Sequence, residues 1–267
     1  MTALFLVTLV PLVLWTVQTL QLRYYGLPVR WRLDAGGAPR AVRTVGRVAT
    51  QISLLAIILV FPLLTGESLV AYYARLLPAT HVALQCSHGC AASVLFLCAL
   101  YAVWIMNDRL RVSVHQSRRR WVRRLLLLLP TACFGALVEE LLFRGVVMAD
   151  LLRTPGFSTT TAVALSIIVF AGAHYVRKAK RRWTIFGHLM LGLLLCVAFL
   201  RTGALWLPIG LHAGGIMMIM GTRPFFRYRG PAWLTGASVF PFAGVIGVLG
   251  LGVLTGFVAH YYPLVAE

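Results

Sequence analysis

Eight apolar stretches, near 3–22, 48–65, 83–106, 125–152, 159–176, 185–200, 203–221 and 236–260, recur along this 267-residue chain. Most are of the roughly 17–25 residues that a helix needs to cross the hydrocarbon core of a bilayer. Hydrophobic residues make up 60% of the sequence and charged residues 12%, and the mean hydropathy is +0.84. A soluble domain could not hide that much apolar surface, whereas lipid solvates it directly. No long polar stretch remains for a second domain. The expected fold is an all-α integral membrane protein, a bundle of about eight transmembrane helices with an internal polar cavity. It forms one membrane domain over 1–267, with N-terminal spans in 1–124, a motif-bearing core in 125–221 and a glycine-rich C-terminal span in 222–267.

The net charge of +18 suggests nucleic acid until its distribution is read. Six Lys and Arg lie in 23–47, seven in 107–124, five in 177–184 and three in 222–235, which places 21 in alternate connections. The other connections hold Arg75, Arg153 and Arg201, and Arg144 lies inside a span. Basic residues concentrate on the cytoplasmic side of membrane proteins. The expectation is therefore a multi-pass protein of the plasma membrane with both termini outside the cytoplasm. Its basic connections would meet anionic lipid headgroups, and no nucleic-acid partner is expected. Met1–Leu22 lacks a positive n-region and reads as a retained anchor rather than a signal peptide.

Local signals agree with helices joined by short turns. Asp34–Pro39 and Thr154-Pro155-Gly156 read as turns, and Ser158 with the threonines after it as a cap for the fifth span. Gly236, Gly244, Gly247, Gly250, Gly252 and Gly256 give the last span a small-residue face suited to close helix packing. Five cysteines define no disulfide framework. The group His81, Cys86, His88 and Cys90 has zinc-like spacing, yet it reads first as small residues at a helix entrance or a local Cys86–Cys90 disulfide.

Two of the seven acidic residues, Glu139 and Glu140, stand together in an apolar run. A carboxylate inside a bilayer costs several kcal/mol on most scales, so it usually faces a cavity or a partner. Glu140 and Arg144 are spaced i,i+4 with the acid first, the favourable order for pairing on one helical face. Glu139 is turned about 100° away and is free to face elsewhere. His174 closes the fifth span after Phe170, and His212 lies in the seventh; both are flanked by Ala and Gly, which let a second helix or a substrate backbone approach. Glu139, His174 and His212 together hold the parts for amide hydrolysis. A carboxylate can take a proton from water, one imidazole can position that water, and a second can stabilise the oxyanion. The same three side chains could bind zinc in an open site, so the residues alone leave water and metal both open.

The string Glu139-Glu140-xxx-Arg144, then Phe170-xxx-His174, then His212 resembles the ordered motifs of the CPBP (Abi) family, which includes CAAX prenyl endopeptidases. The segment Arg201–His212 also looks like the family's stretch before its last histidine, and the resemblance covers roughly 125–221. It implies an intramembrane glutamate-dependent endopeptidase that acts through activated water, without a cofactor, on a membrane-anchored or C-terminally modified polypeptide. By position Glu139 would activate water beside His174, Glu140 and Arg144 would support them with Phe170, and His212 would serve the oxyanion.

The family usually has Asn four residues after that last histidine, where this chain has Ile216; its only asparagine is Asn107, in a cytoplasmic connection. Loss of one oxyanion donor can cost on the order of 100–1000-fold in turnover. Either a backbone N–H near Gly214 or Gly215 substitutes, which requires a break in the seventh span, or catalysis is weak. Depth poses a second problem. Glu139 stands 15 residues after Arg124, about 22 Å at a helical rise, whereas His174 stands three residues before Arg177. One water can touch both only if Pro130 kinks the fourth span or its first turns lie outside the bilayer. Two rival readings follow: a non-catalytic relative serving as scaffold, regulator or bacteriocin-immunity factor, and an ion-coupled transporter using the same polar groups.

Overall fold

A computed structural model describes residues 1–29, 39–113, 117–175, 184–236 and 239–262; the expected turn at 34–39, apart from Pro39, and the basic run 177–182 fall outside them. The chain is mostly helical and multi-pass. Its long apolar helices are α1 (Thr2–Tyr24), α2 (Arg40–Leu64), α4 (Val82–Met106), the continuous rod Arg119–Arg153 and α8 (Ile185–Thr202). Three shorter apolar helices, α7 (Thr159–Ala173), α9 (Trp206–Thr222) and α11 (Val245–Tyr261), complete the eight stretches seen in the sequence. Leu20, Leu59, Leu95, Leu127, Leu249 and Val253 are all more than half exposed, while Glu140, Arg144, His188 and His212 are buried. An apolar exterior around a polar interior is the arrangement a bilayer favours.

The fourth stretch departs from its expected bounds. It comprises α5 (Arg118–Glu140), a π-helical segment (Leu141–Met148) and α6 (Ala149–Arg153) without interruption, and Pro130 lies within α5. At 35 residues the rod measures about 52 Å, well beyond a hydrocarbon core of about 30 Å. Whatever its depth, the rod brings Glu139 Oε2 to 3.6 Å from His174 Nε2, so the two residues the sequence set at different depths meet. A π-helix leaves its carbonyls poorly matched to the usual ladder. Two of them gain side-chain donors here, Gly145 from the Tyr72 hydroxyl at 2.5 Å and Phe143 from the Ser166 hydroxyl at 3.3 Å. Tyr72 comes from α3 (Leu69–Leu76), a short helix capped by Ser68.

The connections sort to two ends. At one end Ala3 N–H donates to Asp150 at 2.9 Å, Arg153 and Arg75 both pair with Glu67, and the Trp206 indole donates to the Pro78 carbonyl at 2.7 Å. At the other end β1 (Leu110–Val112) pairs antiparallel with β2 (Phe226–Tyr228), Leu110 opposite Tyr228. That ribbon joins two of the basic connections on one side of the molecule.

The last stretch also differs from expectation. Its helix begins at Val245, not at 236, after a one-turn α10 (Ala232–Thr235) and a 3-10 turn at Pro241–Ala243. Gly236 has φ +71°, a conformation that L side chains rarely adopt, and so belongs to the bend before the helix. Within α11 a Cβ on Gly247 would press on Phe242 and one on Gly250 on the Phe96 ring, whereas Gly252 and Gly256 face open space. The glycine face is therefore a packing surface over part of its length.

Candidate active site

The helix that carries His212 is fixed by its contact with α4. A Cβ on Gly89 would lie 2.5 Å from the Leu207 carbonyl oxygen, one on Gly210 would overlap the Cys86 carbonyl oxygen, and one on Gly214 would lie 2.8 Å from Cys90 Cα. Glycine at these points lets two backbones touch, and it is the neighbouring helix that occupies the space beside Gly210 and Gly214. Cys86 and Cys90 are free thiols in this seam, so the local disulfide does not form. His88 Nδ1 instead meets the Tyr262 hydroxyl at 2.9 Å. Among the described residues no set of three or more His, Cys, Asp or Glu side chains is grouped to hold a metal ion.

Glu140 and Arg144 are both 0% exposed, and a guanidinium N–H of Arg144 donates to the Glu140 carboxylate at 3.1 Å. The other arm of Arg144 donates to the Gly192 carbonyl of α8 at 3.1 Å, and the guanidinium lies 4.6 Å from the Phe170 ring centre. A buried charge is tolerable only when paired and hydrogen-bonded in this way. Phe170 also packs against His174 with ring centres 4.7 Å apart, and its carbonyl lies 2.8 Å from His174 Nδ1.

Glu139, His174 and His212 converge. Glu139 Oε2 lies 3.6 Å from Nε2 of each histidine, and that oxygen is buried with no hydrogen-bond partner. The opposite nitrogens explain the geometry. His174 Nδ1 faces a carbonyl, which only accepts, so the ring carries its proton there and presents a lone pair at Nε2 when neutral. His212 Nδ1 faces Glu140 Oε1 at 2.8 Å, which fixes its tautomer in the same sense. His212 Nε2 is an acceptor when the ring is neutral and a donor when the ring is imidazolium. With both rings neutral, three acceptor positions meet at distances too long for direct hydrogen bonds and short enough for one water to touch more than one of them.

Two cavities meet at Glu139 and His174. One, of about 260 Å³, lies among α4, α8, α9 and α11 and is also lined by His212 and Ile216. The other, of about 510 Å³, lies between the α1–α2 pair and the π-helical rod and is lined by Thr50 and Gln51. Ile216 therefore stands in the wall of the same cavity as His212, on an unbroken α9. Of the two outcomes the sequence left open, a break near Gly214 or Gly215 or weak catalysis, the first is not seen: α9 is helical through both glycines, and Gly214 packs against Cys90 of α4. Its N–H stays within the helix, and Gly214 supplies no donor to the cavity.

One polar residue beside the site went unnoticed in the sequence. His188, 1% exposed in α8, packs against His174 with ring centres 4.7 Å apart and planes tilted by 37°. The available signal was an imidazole inside an apolar helix, close enough to a basic boundary to pass for part of it.

Residues 121–218 match the family model of type II CAAX prenyl endopeptidase Rce1-like proteins. Comparison with curated proteins and with solved structures gave no match.

Proposed function

From the Rce1-like type II CAAX prenyl endopeptidase family domain that residues 121–218 of this chain carry, we propose an intramembrane endopeptidase in which Glu139 activates water. The observation that supports it most is the unpartnered Glu139 Oε2, buried 3.6 Å from two imidazole Nε2 atoms. A water held there donates one hydrogen to Glu139 and can donate the other to His174 Nε2. As its oxygen attacks the substrate carbonyl, its proton passes to Glu139, and imidazolium His212 donates Nε2–H to the oxyanion. Collapse of the tetrahedral intermediate breaks the C–N bond, and the proton on Glu139 goes to the leaving amine. Glu140 keeps His212 oriented through its contact with Nδ1, and Arg144 holds Glu140 in place by a hydrogen bond.

The substrate class follows from the family's name: a polypeptide carrying a prenyl group near its C-terminus, held in the bilayer by that lipid. Two cavities bounded by one Glu–His pair suit a substrate with an apolar tail and an extended peptide. The concentration of basic residues at the end bearing the β1–β2 ribbon supports a topology with that end in the cytoplasm and both termini outside it. Ile216 on an unbroken α9 favours one second reading, a non-catalytic member acting as scaffold, regulator or immunity factor. Incubating the purified protein with a prenylated CAAX peptide and weighing the products separates the two. The first reading gives a released C-terminal fragment, the second none.

A further inference from the structure

The larger cavity, between the α1–α2 pair and the π-helical rod, reaches Glu139 and takes Thr50, Gln51 and Leu54 as its α2 wall. Those three residues mark the face of α2 that looks into it. Arg47 precedes them by three, four and seven residues, and Arg43 by seven, eight and eleven, the spacings of one helical face. Arg40 stands eleven residues before Gln51 and continues the same stripe. All three basic residues of α2 therefore share its cavity face, in line with the opening toward Glu139.

The preference of basic residues for one side of a membrane accounts for the end of α2 at which they lie. It does not account for the face. Ala41, Val45 and Val48, on the other side of the same turns, are apolar, and both valines are exposed as a lipid-facing surface would be. The position is also costly, because cations oppose the dipole at a helix N-terminus and the first turn of α2 holds no acid to offset them. Among the described residues the arginine ion pairs belong to Arg75, Arg111, Arg144, Arg153 and Arg229. Arg40, Arg43 and Arg47 are exposed and enter none of them; Arg47 Nε donates to the Arg43 carbonyl at 3.4 Å. Three guanidiniums and the positive end of a helix dipole thus face the mouth of a cavity with a catalytic carboxylate inside, and together they favour an anion there. Arg47 stands about 6 Å and Arg43 about 12 Å from Gln51 along the helix axis. The three residues after the cysteine of a CAAX peptide extend about 10 Å, a matching span for a chain that passes Gln51 on its way from Glu139.

We propose that Arg43 and Arg47 bind the C-terminal carboxylate of the peptide substrate and so set the distance from the chain end at which Glu139 acts. The inference rests on the peptidase reading above. Binding is therefore measured without turnover, in neutral detergent, with full-length protein in which Glu139→Gln blocks cleavage. The probes are a fluorescent prenylated CAAX peptide with a free carboxylate and the same peptide as its C-terminal amide. The acid should bind at least about tenfold more tightly than the amide, as charge-assisted hydrogen bonds would give, and the preference should shrink as salt is raised. Adding Arg43→Gln with Arg47→Gln should lower the acid to the affinity of the amide and leave the amide unchanged. Arg43→Lys with Arg47→Lys keeps the charge without the fork and should retain part of the preference. Equal affinity of acid and amide for the parent would overturn the inference. So would a preference that survives both Gln substitutions, and in that case a loss of phosphatidylglycerol binding would assign the stripe to lipid headgroups instead. Loss of the folded state in both double variants would overturn it by making the arginines part of the scaffold. No binding of either peptide to the parent would remove the peptidase reading and this contact with it.

Discussion

His212 is bound between two consecutive glutamates: its Nδ1 lies 2.8 Å from Glu140 and its Nε2 lies 3.6 Å from Glu139. Adjacent residues on a helix point about 100° apart, so one ring can touch both only by lying across the end of α5, where the π-helical segment begins. The contact divides the pair. Glu140 is spent on His212 and Arg144, and Glu139 keeps an oxygen for the cavity.

Arg144→Ala should cost the protein about 3–5 kcal/mol, because it removes the guanidinium paired with Glu140 at 0% exposure. Thermal unfolding in detergent would show a large drop in midpoint or no folded protein. A variant as stable as the wild type would remove the supporting role of the pair.

The α4–α9 seam makes a second, purely steric prediction. Gly210→Ala places a methyl group on the Cys86 carbonyl and should destabilise by about 1–3 kcal/mol, as overpacking does. It should also displace His212, two residues further along. Gly252→Ala, whose Cβ meets nothing within 4 Å, is the matched control and should be neutral. Equal midpoints for the two variants would contradict the seam.

Glu67 links stability to pH at the end opposite the ribbon. Burial opposes its ionisation, but hydrogen bonds and charges from Arg153 and Arg75 outweigh that and hold its pKa below the ordinary 4.5. A carboxylate whose folded pKa is lowered adds stability above its unfolded value, and that stability is lost as pH falls through the folded value. Since the arginines are about half exposed, the gain should stay within about 1 kcal/mol. The difference in midpoint between wild type and Glu67→Gln should shrink as pH is lowered past 4.5. A difference independent of pH would sink the assignment.

Ile216→Asn tests the oxyanion side. With α9 unbroken, His212 is the donor that this helix offers, and an amide at 216 would add a second in the same cavity. Turnover should rise, by up to the roughly 100–1000-fold that one such hydrogen bond can supply. In a non-catalytic relative the substitution should bury an unsatisfied amide and cost about 1–3 kcal/mol of stability, with no product formed.

Much of this was legible in the sequence because membranes make polar residues conspicuous. Glu139, Glu140, Arg144, His174 and His212 stand out from apolar surroundings, and the i,i+4 spacing of Glu140 and Arg144 names a partner. What stayed hidden depends on contacts between distant segments. Small residues around His212 read as room for a second helix or a substrate backbone, and only the fold shows that α4 takes the space at Gly210 and Gly214. The π-helical turn needs Tyr72 and Ser166 from elsewhere in the chain. The β1–β2 ribbon joins strands more than a hundred residues apart. His188 gives no signal of its cavity, since only the fold brings α8 beside α7.

The most direct test compares wild type and Glu139→Gln on a prenylated CAAX peptide, with folding of both verified by their unfolding midpoints. The account predicts that wild type releases a C-terminal fragment, with or without a metal chelator. It predicts that Glu139→Gln, equally folded, loses about 100–10,000-fold in rate, the usual worth of a positioned general base. A Glu139→Gln protein that cleaves at the wild-type rate, or a folded wild type that releases no fragment, would contradict it.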